Sequence, residues 1–156
     1  MPPARLSLTF PQHARIVVTL GRVFTAPISY PGSGLTEICG VASLTAARLL
    51  GEVGEIDRFR SKAAFAMAAG VAPIPASSGR TQRVRLNRGG NRRLNHALHN
   101  MAVVQARRDP RARAYVERKR AQGMSQREAL RCLKRQLANV VYATMVRDAT
   151  RGALTT

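Results

Sequence analysis

Apolar residues recur every three to four positions through the last third of the chain, which is the spacing of one face of an α-helix. The pattern predicts three consecutive helices there. The first begins at Asn91, and the second follows Asp109, a capping residue that precedes a proline. The third follows Ser125, which forms a capping box with Glu128. The positions at this spacing in the first helix are Leu94, Ala97 or Leu98, Met101, and Val104 or Gln105. Those in the third helix are Leu130, Leu133, Leu137, Val140 or Val141, and Thr144.

Residues 35–54 predict a helical hairpin, with a short helix, a tight glycine turn and a second helix from about Ser43. This layout is typical of a helix-hairpin-helix unit, which points backbone N–H groups toward a nucleic-acid phosphate. On this interpretation Gly40, Ala42 and Thr45 contact nucleic acid. The full form has a second glycine where this chain has Ala42, so a plain helical hairpin in the core is an equal alternative. The apolar side of the second helix is assigned to Leu44, Ala47, Leu49 and Leu50.

The remaining segments predict shorter elements. Residues 15–20 predict a strand, and Ser61 predicts the cap of a short helix that Gly70 ends. Residues 71–90 are interrupted by prolines and glycines and predict a long loop. The fold class is therefore mainly α, with a helix-hairpin-helix-like region, an arginine-rich serine loop and three basic helices. The chain divides into an N-terminal segment with linker, a domain and a tail, at residues 1–34, 35–150 and 151–156.

The charge of the chain indicates a partner. Its 156 residues include 26 Lys and Arg against 8 Asp and Glu, a formal net charge of +18. Residues 79–156 hold 19 of the basic and 4 of the acidic residues, and 23 of the 26 basic residues are arginine. Arginine forms forked contacts with phosphate, so the balance predicts a polyanion partner, of which nucleic acid is the commonest. A GC-rich genome is the alternative reason for so much arginine.

Composition also excludes several classes of protein and site. An apolar fraction of 45% is enough for a core, whereas 4% of aromatic residues supplies few rings for stacking unpaired bases. Cys39 and Cys132, with only three histidines, lack the spacing of a zinc site, and two reduced thiols are expected rather than a disulfide. The sequence has no apolar run of about 20 residues and no secretory signal, so we expect a cytoplasmic protein without a membrane partner.

Serine and arginine are the residues that indicate chemistry. Residues 75–80, PASSGR, place Ser77 and Ser78 beside a glycine and ahead of several arginines. A serine hydroxyl needs activation to act as a nucleophile, and arginine can stabilise a phosphoryl transition state; the alternative is an ordinary turn. His96 and His99 are assigned to packing or phosphate contact. A clamp on nucleic-acid phosphates, or alternatively a solvated loop, is predicted for Arg80, Arg83, Arg85, Arg88, Asn91, Arg92 and Arg93.

Several runs of residues resemble one family of enzymes. APIPASSG at residues 72–79 is similar to the serine loop of DEDD-type bacterial insertion-sequence transposases, which are relatives of the Piv invertase and of bridge-RNA-guided recombinases. RLNRGGNRRLNHALH at residues 85–99 is similar to the basic helix start of the same family. RAYVERKRAQG at residues 113–123 and ALRCLKR at residues 129–135 match in type and order. The resemblance covers about residues 35–148 and concerns the C-terminal half of the family.

The resemblance implies an enzyme of two parts. In this family an N-terminal domain binds Mg²⁺ through four acidic residues, and the C-terminal domain supplies a serine that becomes covalently joined to a DNA end during strand exchange. By its position in the motif, that serine is Ser78, with Ser77 as the alternative. DNA is the implied partner, and a guide RNA is a further candidate.

Residues 1–34 contain no Asp or Glu and do not resemble the acidic domain of the family. We therefore expect a truncated transposase that binds DNA, is inactive alone, and acquires Mg²⁺ only with the missing acidic domain. We expect it at the bacterial nucleoid, associated with itself or with full-length transposase. The alternatives are a non-catalytic nucleic-acid-binding module or regulator, and a small basic ribosome-associated protein.

Overall fold

The computed structural model describes residues 7–9, 15–17, 33–75 and 84–154, and the fold is mainly α-helical, as the sequence predicts. Two short 3-10 helices, Gly34–Glu37 and Ile56–Arg58, flank the first α-helix. The α-helices are α1 Ser43–Val53, α2 Lys62–Ala68, α3 Arg92–Arg108, α4 Pro110–Ala121 and α5 Gln126–Leu154. The strands form two antiparallel pairs, β1 Ser7–Thr9 with β2 Arg15–Val17, and β3 Ile74–Pro75 with β4 Val84–Arg85.

The helices begin where their capping residues stand, because a side-chain oxygen there binds backbone N–H groups that lack a partner within the helix. Asn91 accepts from the N–H groups of the second and third residues of α3, at 2.9 and 3.0 Å. Asp109 accepts from Arg111 N at 2.8 Å and so caps α4. Ser125 N donates to the Glu128 carboxylate at 2.9 Å, which is one half of the predicted capping box. These three predicted helix starts are confirmed.

The long helix α5 lies at the centre of the packing and contacts α2, α3 and α4, while α1 packs against α3. Leu98 and Met101 of α3 and Val141 of α5 are fully buried in this core. Phe59, Phe65 and Tyr142 form an aromatic cluster, in which the Tyr142 hydroxyl donates to Phe59 O at 3.0 Å. None of the described helices is long and apolar enough to cross a membrane.

Helices α1 and α3 run in opposite directions. At one end of the pair, Gln105 of α3 donates its side-chain amide to Cys39 O, just before α1, at 2.7 Å. At the other end, the Asn91 side-chain amide donates to the Glu52 carboxylate at 2.8 Å. The turn ahead of α1 therefore lies beside the C-terminal half of α3, and the end of α1 lies beside the start of α3.

Some expectations about these elements were wrong. The sequence predicts Leu44 on the apolar side of α1, but Leu44 is 68% exposed. The buried face is formed by Ala46, Leu49 and Val53, and Leu44 lies about 200° around the helix from Ala46. Val140 of α5 is also exposed, whereas the adjacent Val141 is buried. The segment 71–90 is not wholly a loop, since it contains the β3–β4 pair.

A carboxylate of α5 fixes the start of the helical region. Asp148 Oδ2 accepts from Ser33 Oγ at 3.1 Å and from Gly34 N at 3.0 Å. These bonds join two segments that are more than a hundred residues apart in the sequence. The helix itself continues past residue 150 to Leu154.

Candidate nucleic-acid interface

The loop between β4 and α3 is held on the C-terminal end of α2 by hydrogen bonds. The Asn87 side-chain amide donates to Met67 O at 2.9 Å, and its oxygen accepts from Gly89 N at 3.0 Å. The N–H of Asn91 donates to Ala68 O at 2.7 Å. The last carbonyls of a helix lack partners within the helix, so these bonds satisfy two of them and fix the loop against α2.

Glycine is required where this loop crosses the end of α2. A β-carbon on Gly90 would lie closer than 3.0 Å to the Gly70 backbone and 2.9 Å from Ala68 O. Gly70 itself has φ +67, in the left-handed region that favours glycine. The two backbones are therefore in direct contact, and this contact sets where α3 begins.

Asn95, one turn into α3, extends the junction to α5. Its side-chain amide donates to Ala69 O and to Gly70 O, both at 3.0 Å. Its oxygen accepts from Lys134 Nζ at 2.9 Å, and Lys134 is half-buried. The asparagines and glycines of the run RLNRGGNRRLN thus hold the backbone in place.

The arginines of the same run are exposed. Arg93 forms an ion pair with the Glu52 carboxylate on α1 at 3.3 Å, and its side chain is still 82% exposed. Arg85, Arg88 and Arg92 are exposed as well, and within the described residues no carboxylate pairs with them. A rigid backbone therefore presents guanidinium groups to solvent.

Two adjoining grooves lie along the start of α3. One, of about 550 Å³, lies between α1 and α3, and the other, of about 660 Å³, lies between the loop and α3. Arg92 and His96 line both grooves, so the two lie side by side. We call the basic residues that line them the α3 cationic surface: Arg48, Arg88, Arg92, Arg93, His96 and His99.

Burial and neighbouring positive charges lower the pKa values of two groups in this region. Partial burial, and then the charges of Lys134 and His96, hold the pKa of His99 below its usual 6.5. Burial, and then the charge of Arg131, lowers the pKa of Lys134. Cations that disfavour one another's charged form create a positive potential, which a bound anion would relieve.

Glu52 is the acidic group within the grooves. The hydrogen bond from Asn91 is the main cause of its lowered pKa, with a further contribution from Arg93, so the carboxylate stays charged. Asn91, which the sequence predicts as a nucleic-acid contact, uses one side-chain atom to cap α3 and the other to bind Glu52. Its role in the structure is to position α3 and the adjoining carboxylate.

Four of the predicted site residues lie outside the described residues, and the structure does not test them: Ser77, Ser78, Arg80 and Arg83. The strands on either side are described. Pro75 of β3 pairs with Val84 of β4, so the chain enters and leaves residues 76–83 at neighbouring points.

The turn predicted to contact a phosphate precedes α1, at the opposite end of that helix from the start of α3. Gly40 there has φ +84 and packs against Val104 of α3. Ala42 is exposed and makes no side-chain cap, and Thr45 is half-buried in the first turn. The 11 residues of α1 span about 16 Å, so the structure does not bring this turn together with Arg88 and the other residues of the α3 cationic surface.

Four residues of the site were not predicted from the sequence. Arg48 and Glu52 lie four positions apart on α1, a spacing that puts both on one helix face, but only the structure shows that this face meets α3. Lys134 is one of three lysines among 26 basic residues, and this rarity is what distinguishes it in the sequence. No sequence pattern marks Asn95.

Four acidic side chains of the described residues are engaged in separate structural contacts. Glu52 binds Asn91, Glu128 binds Ser125, Asp109 caps α4 and Asp148 binds Ser33, each in a different part of the structure. In the part of the chain that the structure describes, no three His, Cys, Asp or Glu side chains could together hold a metal ion.

The comparison with known families decides what kind of protein carries this site. The family model described as Transposase IS116/IS110/IS902 family matches residues 32–117, which is more than half of the chain. The chain belongs to this transposase family. The match includes the serine segment 76–83, the loop that follows β4 and all of α3. The sequence-based resemblance to insertion-sequence transposases is therefore confirmed at the level of the family.

The chain is also similar to individual insertion-element proteins. The chain is 41% identical over 117 residues to the insertion element IS110 uncharacterized 43.6 kDa protein of Streptomyces coelicolor, covering 74% of this chain and 29% of that protein. It is 37% identical to the insertion element IS900 uncharacterized 42 kDa protein of Mycobacterium paratuberculosis, covering 78% and 29%. The IS116 protein of Streptomyces clavuligerus is 31% identical, covering 70% and 27%. This transposase-family chain thus spans less than a third of the length of these relatives.

Proposed function

We propose that this chain is the DNA-binding part of an insertion-sequence transposase and that it contributes a serine nucleophile to DNA strand exchange. The observation that supports this most directly is the set of exposed arginines, Arg85, Arg88, Arg92 and Arg93, on a backbone fixed by Gly90. Their fixed spacing suits the phosphates of a nucleic-acid backbone, and contacts of this kind position a protein on DNA without reading sequence.

The turn before α1 adds a second contact with the same duplex. Ala42 is exposed and leaves the first N–H groups of α1 without a side-chain cap, so they can donate to a phosphate. This turn lies about 16 Å from the start of α3, and phosphates along one strand advance by about 3.4 Å per base pair, so the two contacts span about five base pairs. Gly40 and Thr45 shape this contact.

The serine acts by exchanging one phosphate ester for another. Ser78 Oγ, with Ser77 as the alternative, attacks the phosphorus of a DNA phosphodiester and forms a new P–O bond. The bond from that phosphorus to one sugar oxygen breaks, and the sugar leaves as a hydroxyl that carries the proton from the serine. Arginines of the loop stabilise the charge on the phosphoryl oxygens.

Strand exchange in this proposal requires carboxylates and Mg²⁺ from outside the described residues, among which no three His, Cys, Asp or Glu side chains could together hold a metal ion. Mg²⁺ held there would supply charge stabilisation at the reacting phosphate. Association with full-length transposase would bring those carboxylates to this chain. The chain would also associate with itself, and a guide RNA would be a further polyanion partner.

A covalent-adduct assay tests the serine role. The full chain is incubated with Mg²⁺, donor and target DNA and a relative's separately supplied acidic domain, and protein–DNA adducts are separated on a denaturing gel. Ser78→Ala should abolish the adduct while Ser77→Ala retains it. The reverse pattern would move the nucleophile to Ser77, and an adduct that survives both substitutions together would contradict the proposal. DNA binding with no adduct in any variant would favour a non-catalytic regulator.

A further inference from the structure

Lys134 is a half-buried cation whose hydrogen-bond partner is neutral. Its Nζ donates to the amide oxygen of Asn95 at 2.9 Å, which leaves two N–H donors, and no other partner for them lies among the described residues. A charge withdrawn from water is costly unless it is paired with an opposite charge. The part of the chain that the structure describes places no carboxylate in an ion pair with Lys134.

The groups around Lys134 are also basic. Arg131 lies one turn before it on α5, and the charge of Lys134 contributes to the lowered pKa of His99. Asn95 and His99 both line the groove of about 660 Å³, together with Arg88 and Arg92. The groove is therefore lined by nitrogen donors from a loop and from α3, and Lys134 of α5 adjoins it through the hydrogen bond to Asn95.

We propose that this groove is a pocket for a single phosphate group, held by Lys134, His99 and Arg92. The phosphate belongs to a nucleic-acid backbone, and in this respect the inference rests on the proposed DNA-binding function. Lys134 supplies charge from beside Asn95, which lines the groove, while Arg92 supplies a forked guanidinium from the lining itself. The pocket fixes one phosphate in a defined place, whereas the arginines around it are freely exposed.

A purely structural role for Lys134 would leave the pocket without a ligand. In that case Lys134 would serve only to hold Asn95 against the carbonyls of Ala69 and Gly70, just after α2. Lys134→Gln separates the two roles, because glutamine keeps an N–H donor for Asn95 but removes the charge. Lys62→Gln, the same change at an exposed residue in the first turn of α2, is the matched control.

The experiment titrates the full chain with inorganic phosphate at constant ionic strength, balanced with chloride, and follows the imidazole NMR signals of His96 and His99. Phosphate should shift the His99 signal saturably in the native chain and in Lys62→Gln. Lys134→Gln should weaken this apparent affinity about tenfold, as expected for one charge-assisted hydrogen bond. Lys134→Arg, which keeps the charge, should retain most of the response and serves if Lys134→Gln does not fold.

An unshifted His99 signal, or an equal response in Lys134→Gln and the native chain, would overturn the pocket. Binding of a short DNA duplex, measured in parallel, separates the two proposals. DNA binding with no phosphate response overturns the pocket alone. A phosphate response without DNA binding overturns the proposed function and identifies free phosphate as the ligand source.

Discussion

Gly90 lies in direct backbone contact with Gly70, so that the loop before α3 crosses the end of α2 with no space for a side chain. Asn91 follows this crossing and donates its N–H to Ala68 O. The crossing determines where α3 begins, and therefore where Arg92 and His96 stand on both grooves. The glycines that look like flexible loop residues in the sequence are thus part of the frame that carries the basic side chains.

Gly90→Ala should destabilise the chain, because a methyl group there overlaps the Gly70 backbone, which cannot move away without disturbing α2. We expect a loss of about 2–3 kcal/mol in the free energy of unfolding, as for other overpacked sites. Gly89→Ala is the control, since a β-carbon there would come no closer than 3.6 Å to the Asn87 side chain. Equal denaturation midpoints for the two variants would show that the Gly90 and Gly70 backbones are not in close contact.

Asn95→Ala should also destabilise the fold, because it removes the partner of two carbonyls at the end of α2 and of Lys134. The expected loss is about 1–3 kcal/mol, measured by urea denaturation. Asn100→Ala, an exposed position on the same helix, provides the comparison and should change stability by less than about 0.5 kcal/mol. A similar loss at both positions would indicate a general effect on α3 rather than a specific junction.

Glu52→Gln should strengthen DNA binding. The change removes a negative charge from the groove between α1 and α3 and releases Arg93, while glutamine still accepts from Asn91. We expect the dissociation constant for a short duplex to fall about two- to threefold at low salt, with little change in stability because an ion pair this exposed contributes little. Glu55→Gln, at an exposed position outside both grooves, should have a smaller effect. Weaker binding by Glu52→Gln would contradict the assignment of the grooves.

DNA binding should strengthen as the pH falls from about 7.5 to 5.5. In the free protein the pKa of His99 is below its usual 6.5, chiefly through partial burial and then through Lys134 and His96; Arg88, Arg92 and Arg131 add positive charge nearby. A bound phosphate would raise that pKa, so binding takes up a proton. Duplex affinity measured across this range should lose part of its pH dependence in His99→Gln. An unchanged profile in that variant would exclude His99.

The same lowered pKa has the opposite consequence for the stability of the free protein. The unfolded chain binds a proton at His99 more readily than the folded chain does. The contribution of this histidine to stability is therefore fully present above pH 6.5 and is lost as the pH falls through its lower folded pKa. Urea denaturation of the native chain and of His99→Gln across this range should show the difference.

The helix starts were predictable because each depends on a few adjacent residues. Asn91, Asp109 and Ser125 cap helices whatever the rest of the fold does. The buried face of α1 was less predictable, since Leu44 has the right composition for a core but lies on the side away from α3.

The site was predicted only in part, because its frame depends on contacts between distant segments. The arginine run is visible in the sequence, but the Gly90–Gly70 crossing and the bond from Lys134 to Asn95 join residues 20 to 39 positions apart. The roles of Ser77 and Ser78 remain predictions.

The salt dependence of duplex binding tests most directly whether the α3 cationic surface binds the DNA backbone. For the native chain, the logarithm of the binding constant should fall linearly with the logarithm of the salt concentration. The Arg88→Gln/Arg92→Gln double variant should reduce the slope by about 1.8, or about 0.9 per lost phosphate contact. Arg120→Gln/Arg127→Gln, which removes two exposed charges elsewhere, should leave it nearly unchanged. A flat response of the native chain, or equal slopes for the two double variants, would contradict binding by this surface.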